Sequence, residues 1–160
     1  RIGCLLTCNE EVLATTLNIA QARLAAPTLD QLAAAHVLET IGNEYLDEVR
    51  AEYEKRRDTL FGALQQIPGI MAYKPKGAFY SIVQLPVDDA EKFAVFLLSD
   101  FSLNKQTTFV APASGFYMQN SRGKNKIRVA YVLQSSEITQ AMEVIRAGLE
   151  VYPGRSGGEI

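Results

Sequence analysis

The sequence predicts an α+β fold: a small antiparallel or mixed sheet with helices packed on it, preceded by a lone strand and a run of helices. Three observations carry this expectation. Apolar residues recur at helical spacing across 43–66 and just past its end, where Leu46, Val49, Tyr53, Leu60, Leu64 and Ile67 share a face. A period of two marks 126–133, where Ile127, Val129, Tyr131 and Leu133 share one face and Arg128, Ala130 and Val132 the other. Strand-like segments cluster late in the chain with helices around them, the order of an α+β layer. With 160 residues, 48% of them hydrophobic, the chain can bury one compact core of ordinary size.

Each element follows from its residues. Segment 2–8, IGCLLTC, is short and apolar and reads as a strand, with Cys4 and Cys8 buried on the face of Ile2 and Leu6. Asn9 caps a helix whose first turn carries Glu10 and Glu11 at the positive end of the helix dipole. Val12, Leu13, Thr16, Leu17, Ala20 and Leu24 mark its apolar face. Pro27 is a boundary, and Thr28 with Gln31 forms a capping box that opens an alanine-rich helix through Leu38. The long helix 43–66 ends at Pro68-Gly69 and carries Glu52 and Arg56 four apart on its surface.

Strand-like residues 70–73 and 78–85 flank a turn at Lys74-Pro75-Lys76-Gly77. Asp88 and Glu91 form a second capping box, opening a helix through Leu98 with Phe93, Phe96 and Leu97 inward. A short strand is expected at 107–111, a loop rich in Gly, Ser and Asn at 112–125, and a strand at 126–133. Ser135 or Ser136 caps the last helix, whose inward face is Ile138, Ala141, Met142, Ile145 and Leu149. An internal boundary is expected between residues 41 and 42, separating a segment 1–41 from a compact unit 42–160.

Composition excludes several classes. Net charge is −2 and charged residues make up 21%. There is no basic block and no aromatic–basic interleaving, so nucleic acid is not an expected partner. Lys55-Arg56-Arg57 follows Glu52 and Glu54 and reads as a solvated helix face. No apolar run approaches the ~20 residues of a membrane span, and no signal peptide is expected. Two cysteines with one histidine, His36, make a poor zinc set, and the expected state is reduced thiols in a cytoplasmic protein. The chain opens Arg-Ile-Gly and already looks structured at residue 2, as a piece of a longer polypeptide would.

Arg128 is the residue that asks for chemistry. Neither face of its strand looks like a solvent face, yet a guanidinium stays charged at any ordinary pH. Its burial is unfavourable unless an anion meets it. Two readings stand: a stem buried at a strand edge with the head snorkelling to water, or a fork that receives a carboxylate bidentately. Gly77 before Phe79 is either an ordinary turn glycine or a site of close backbone approach. The small-residue loop 111–116 could approach a ligand or only turn. His36 reads as structural, and Asp88 and Asp89 as caps. No Ser-His-Asp set, phosphate-cradling Gly-rich loop or paired carboxylates are recognisable. These residues alone describe an α+β domain with an anion-facing arginine and name no reaction.

Three stretches in order, PKGAFYSIVQLP (75–86), FVAPASGFY (109–117) and NKIRVAYV (125–132), with a long helix before them and an amphipathic helix after, resemble the C-terminal part of class I pyridoxal-phosphate aminotransferases, the aspartate aminotransferase-like family of fold type I. The resemblance implies roles. Arg128 would grip the α-carboxylate of the amino-acid substrate, and Phe79 would be an aromatic close to it. Arg1 and Gly3 match the end of the family's Ser-Lys…Gly-x-Arg-x-Gly pattern, in which the arginine contacts the cofactor phosphate.

The resemblance also marks departures. The lysine to which the family attaches its cofactor is expected a few residues before Arg1 and is therefore absent, and no lysine present can be assigned its role. Pro112-Ala113 stands where the family has proline-glycine. The expected parent is a homodimeric transaminase that uses pyridoxal 5′-phosphate to move an amino group from an amino acid, aspartate first, to a 2-oxo acid. Segment 1–41 would be the end of its large domain and 42–160 its small domain. The piece alone is expected to be inactive, without bound cofactor, and self-associating. Alternatives are a stand-alone carboxylate-binding domain and an interaction module in which Arg128 pairs with an internal acid.

Overall fold

A computed structural model describes residues 2–156 of the chain. It divides into two compact units, Arg1–Glu48 and Val49–Ile160. The first holds α1 (Glu10–Arg23), α2 (Thr28–Thr40) and the start of α3 (Asn43–Gln65), the helix that runs on into the second unit.

α1 begins as its sequence dictates. Asn9 Oδ1 accepts hydrogen bonds from the amides of Glu11 (3.0 Å) and Val12 (3.1 Å). α2 departs from expectation. Pro27 occupies the cap position and offers no side-chain acceptor, so Thr28 is already helical. Gln31 donates its side-chain amide to the carbonyl of Ala26 at 2.6 Å instead of closing a capping box. Segment 2–8 is not a strand either. Strand identity requires a hydrogen-bonded neighbour, and no described segment pairs with it. Cys4 and Cys8 are accordingly exposed free thiols rather than buried ones. α1 and α2 bury no residue, and Leu13, Leu17, Leu29 and Leu32 are each more than half exposed.

The second unit is built on a four-stranded antiparallel sheet in the order β1-β2-β4-β3, with β1 Met71–Ala72, β2 Tyr80–Gln84, β3 Ala111–Pro112 and β4 Lys126–Ala130. Alternation sends Ser81 and Val83 of β2, and Ile127 of β4, inward. They meet Leu60 and Leu64 of α3, Phe93 and Leu97 of α4 (Ala90–Ser99), and Ile138, Met142, Ile145 and Leu149 of α5 (Ser135–Val151) in one core. The predicted inward faces of α4 and α5 are therefore the observed ones, with Phe96 and Ala141 partly buried against that core.

Local signals slipped by a residue or more. Asp89, not Asp88, caps α4, accepting from the amides of Glu91 (2.9 Å) and Lys92 (3.4 Å). At α5 neither serine caps; Gln134 holds the cap position, and its amide donates to the Glu137 carboxylate at 3.1 Å. β3 is two residues long and begins at Ala111, since residues 107–110 have no strand partner. The loop that follows contains two 3-10 turns, Ser114–Phe116 and Asn120–Gly123.

Candidate carboxylate-binding site

The register of the sheet builds the site. Ile82 and Ala111 lie opposite Arg128 on its two neighbouring strands, and Tyr80 lies opposite Ala130. Tyr80, Ile82, Arg128 and Ala130 therefore share the outward face. This corrects the expectation that Arg128 is buried: α3, α4 and α5 all pack on the other face, and Arg128 is exposed. Its guanidinium nonetheless has aromatic neighbours. The central carbon lies 4.9 Å from the ring centre of Phe116 and 5.4 Å from that of Tyr80, both distances at which a cation is attracted to an aromatic face. None of the ion pairs among the described residues includes Arg128. The donors of a planar fork thus stand between two rings without an acidic partner.

Phe116 is held in place by its loop. Its amide donates to the Ala113 carbonyl at 3.0 Å, and Ser114 Oγ lies 2.7 Å from Glu91 Oε1 on α4. Gly123 makes the packing of this loop possible: a Cβ there would lie 2.5 Å from the Ala113 carbonyl oxygen, closer than any side chain tolerates. Beside Arg128, a groove of about 480 Å³ opens between the β3–β4 edge and α5, lined by Ala111, Val132, Ile138 and Met142 among others. Its walls are mostly apolar, with Arg128 as the cation.

Phe79 is 49% exposed and reaches Arg128 only through Tyr80. Its ring stands edge-on to Tyr80 at 5.4 Å and tilted to Tyr53 at 6.3 Å. The special backbone of this motif falls on Ala78, with φ +60°, and not on Gly77, which has no atom crowding it. Tyr131 meets this turn. Its hydroxyl donates to the Ala78 carbonyl at 2.9 Å, with the Gly77 carbonyl at 3.5 Å, and its amide donates to the Phe79 carbonyl at 2.9 Å.

The basic run on α3 is also more engaged than a solvated face. Arg56 lies over the Tyr53 ring at 5.3 Å, bonds Glu52 at 2.7 Å and donates to the Val132 carbonyl at 2.6 Å. Arg57 bonds Asp58 and Glu54, each at 2.8 Å. The Asp58 carboxyl is drawn down to about 2, first by its hydrogen bond from Arg57 and then by that from Lys74.

The structure thus places Arg128 and Phe79 in one aromatic run, Tyr53–Phe79–Tyr80, ending on the guanidinium. Arg1 lies outside the described residues. Tyr80, Phe116 and Tyr131 were not singled out in the sequence. Parity with Arg128 across paired strands could have found Tyr80. Tyr131 and Phe116 reach their partners through a strand end and a loop, which no periodicity describes. No cluster of His, Cys, Asp and Glu able to hold a metal ion occurs among the described residues.

Comparison with known proteins gives a consistent result. The profile of the family described as "Aminotransferase class I and II" matches residues 1–145. A "Probable aspartate/prephenate aminotransferase" of Aquifex aeolicus is 30% identical over 107 residues, covering 67% of this chain and 26% of the relative. The structure of an alanine aminotransferase from Pyrococcus furiosus superposes with a TM-score of 0.66 at 26% identity, covering 81% of this chain and 32% of that one. LysN, an alpha-aminoadipate aminotransferase from Thermus thermophilus complexed with N-(5'-phosphopyridoxyl)-L-leucine, gives a TM-score of 0.76 at 22% identity, over 89% of this chain and 36% of that one. At that identity the likeness is one of fold. The chain spans about a quarter of the length of the curated relatives it matches first.

Proposed function

Because the chain belongs to the aminotransferase class I and II family, we propose that it is the C-terminal part of an aminotransferase in which Arg128 receives the α-carboxylate of the amino-acid substrate. The observation that carries this reading is the Arg128 guanidinium itself, flanked by Tyr80 and Phe116 and matched with no acid among the described ion pairs. A carboxylate docking there gains charge-assisted, bidentate hydrogen bonds, and the rings limit where the fork can point. Phe79, next in the aromatic run, would border the substrate.

In this reading the parent moves the amino group of an amino acid to a 2-oxo acid. Aspartate is the first substrate to test, since relatives named aspartate aminotransferase are among the matches. The cofactor of the parent would be pyridoxal 5′-phosphate, which supplies the electron sink for such transfers. The described residues do not fit that group by themselves. No described lysine is buried, and Lys74 and Lys92 are tied to Asp58 and Asp88. We assign the cofactor-bearing lysine to the rest of the parent, and a phosphate contact to Arg1. Segment 1–41 would then close the large domain and 42–160 form the small one, in a homodimeric cytoplasmic enzyme. No described helix is long and apolar enough to cross a membrane.

The test is Arg128→Leu in the parent polypeptide, assayed with aspartate and 2-oxoglutarate. Loss of a charge-assisted hydrogen bond predicts roughly a ten- to hundredfold rise in KM for the amino acid. Unchanged KM removes the assignment. The 160-residue chain alone is expected to show no transamination, and turnover by it would contradict the proposed division of labour.

A further inference from the structure

We propose that Tyr131 is a positioning residue: its hydroxyl holds Ala78 in a left-handed backbone conformation, and so sets Phe79 and Tyr80 beside the Arg128 guanidinium. The inference rests on the carboxylate site proposed above and names what keeps that site in shape.

Ala78 is the observation that asks for an explanation. A φ of +60° brings the Cβ of an L-residue against its own backbone, and only glycine adopts it freely. Such strain persists only where the surroundings over-determine it. Gly77, the residue that could take this conformation at no steric penalty, is the neighbour and does not take it. What over-determines Ala78 is Tyr131. Its hydroxyl hydrogen-bonds the Ala78 carbonyl, and its amide bonds the carbonyl of Phe79 one residue on. The same residue thus grips the turn by side chain and main chain together. At 2% exposure the ring is fixed by the core, which holds the hydroxyl oxygen in reach of the turn, with the Ala78 carbonyl its nearer acceptor. Burial also raises its pKa above the ordinary value of 10.0, which keeps the donor proton in place.

Tyr131 follows Arg128 by three residues, so the two project from opposite faces of one extended segment. That segment carries the guanidinium to the outward face and the clamp to the inward one. The turn the clamp holds leads directly into Phe79 and then Tyr80, whose ring lies against Arg128. If Ala78 relaxed to a right-handed or extended conformation, the chain would enter β2 along a different direction, and both rings would leave their positions.

The experiment is a set of variants in the cofactor-loaded parent, read by two measurements: calorimetric binding of propionate, a carboxylate that cannot react, and KM and kcat for the amino-acid substrate. Tyr131→Phe keeps the ring and removes the donor. It is expected to weaken propionate binding and raise KM about three- to tenfold, the factor that one net hydrogen bond supports. kcat is expected to stay within about twofold, because carboxylate binding is shared by ground and transition states. Adding Ala78→Gly to Tyr131→Phe is expected to restore most of the loss, since glycine holds φ +60° without a clamp. Ala78→Val, which leaves Tyr131 intact and opposes the left-handed backbone, is expected to reproduce the loss, and it keeps the test decisive if Tyr131→Phe does not fold. Unchanged binding in Tyr131→Phe and Ala78→Val, or no recovery in the double variant, overturns the inference. Arg128→Leu separates the two claims. If that variant leaves propionate binding unchanged, the carboxylate site itself is wrong. If it abolishes binding while the Tyr131 and Ala78 variants leave it intact, only the positioning role fails.

Discussion

Tyr152 donates its phenolic hydrogen to Asp88 Oδ1 at 3.0 Å, joining the end of α5 to the entry of α4 across 64 residues of chain. Around this bond the Asp88 amide donates to the Gly154 carbonyl at 2.9 Å, and the Ser156 amide to the Pro86 carbonyl at 3.0 Å. Burial, followed by the bond to Asp88, raises the Tyr152 pKa to about 12. The bond from Tyr152 is the first cause holding the Asp88 carboxyl below its ordinary 3.8.

The pH dependence of stability follows in sign. A tyrosine raised above its ordinary 10.0 stabilises the fold fully below that pH, and the contribution is lost as pH climbs towards 12. A carboxyl held below 3.8 contributes above that pH, and its contribution is lost as pH falls through its folded value. Tyr152→Phe should therefore flatten the alkaline decline of the urea midpoint and reduce the acid one. Superimposable pH profiles for the variant and the parent sequence would refute the coupling.

Arg128→Leu in the 160-residue chain should leave thermal stability within about 1 kcal/mol of the original. Only the ring contacts are lost, whereas orphaning a buried acid would cost roughly 3–5 kcal/mol. A calorimetric loss in the larger range would reveal an internal partner and favour the interaction-module alternative.

Gly123→Ala forces a methyl group into the Ala113 carbonyl, a backbone atom that cannot swing aside. Overpacking of this kind costs roughly 1–3 kcal/mol. The loop that carries Phe116 should shift with it, so a crystal structure of the variant is expected to show the ring withdrawn from Arg128. An undisturbed ring would separate the glycine from the site.

Phe93, with no solvent exposure, stacks on Phe96 and meets Tyr152 edge-on. Phe93→Ala should lower unfolding free energy by about 3–5 kcal/mol, the usual loss for a fully buried aromatic. Chemical denaturation reads it directly, and a loss below about 1 kcal/mol would mean that the second unit has no single core.

The apolar faces of α1 and α2 bury nothing among the described residues. The 160-residue chain should self-associate in sedimentation as concentration rises, because contiguous exposed apolar surface is a docking liability. Leu13→Glu with Leu29→Glu should shift it towards monomer. A clean monomer at high concentration in the original sequence would count against this.

Much of the second unit was legible because its signals are periodic. The apolar spacing of 43–66 foretold α3, observed as Asn43–Gln65, and the inward residues of α5 were read correctly from Ile138 to Leu149. Signals carried by single residues were less secure. Asp88 and Asp89 are adjacent acids, and which one caps depends on where the chain bends into the helix. The strand expected at 2–8 failed because apolar character creates a demand for a neighbour without supplying one. Arg128 was placed on the correct face with the wrong environment. Ala130 and Val132 make that face look interior, but whether a face is covered depends on which elements pack there, and the period-two pattern does not encode that. The Phe116 contact was invisible because a loop with two 3-10 turns has no repeat to read.

The strand order β1-β2-β4-β3 has a consequence for how the chain is made. Reading from the amino terminus, a ribosome releases both lateral partners of β4 before β4 itself emerges. Until then β2 can pair only with two residues of β1, and β3 with nothing. Nascent chains halted short of residue 126 would hold β2 and the Phe116 loop against α3 and α4 at most, with the edge that β4 occupies still open. The sheet closes in a single late event, like a keystone set between stones already laid.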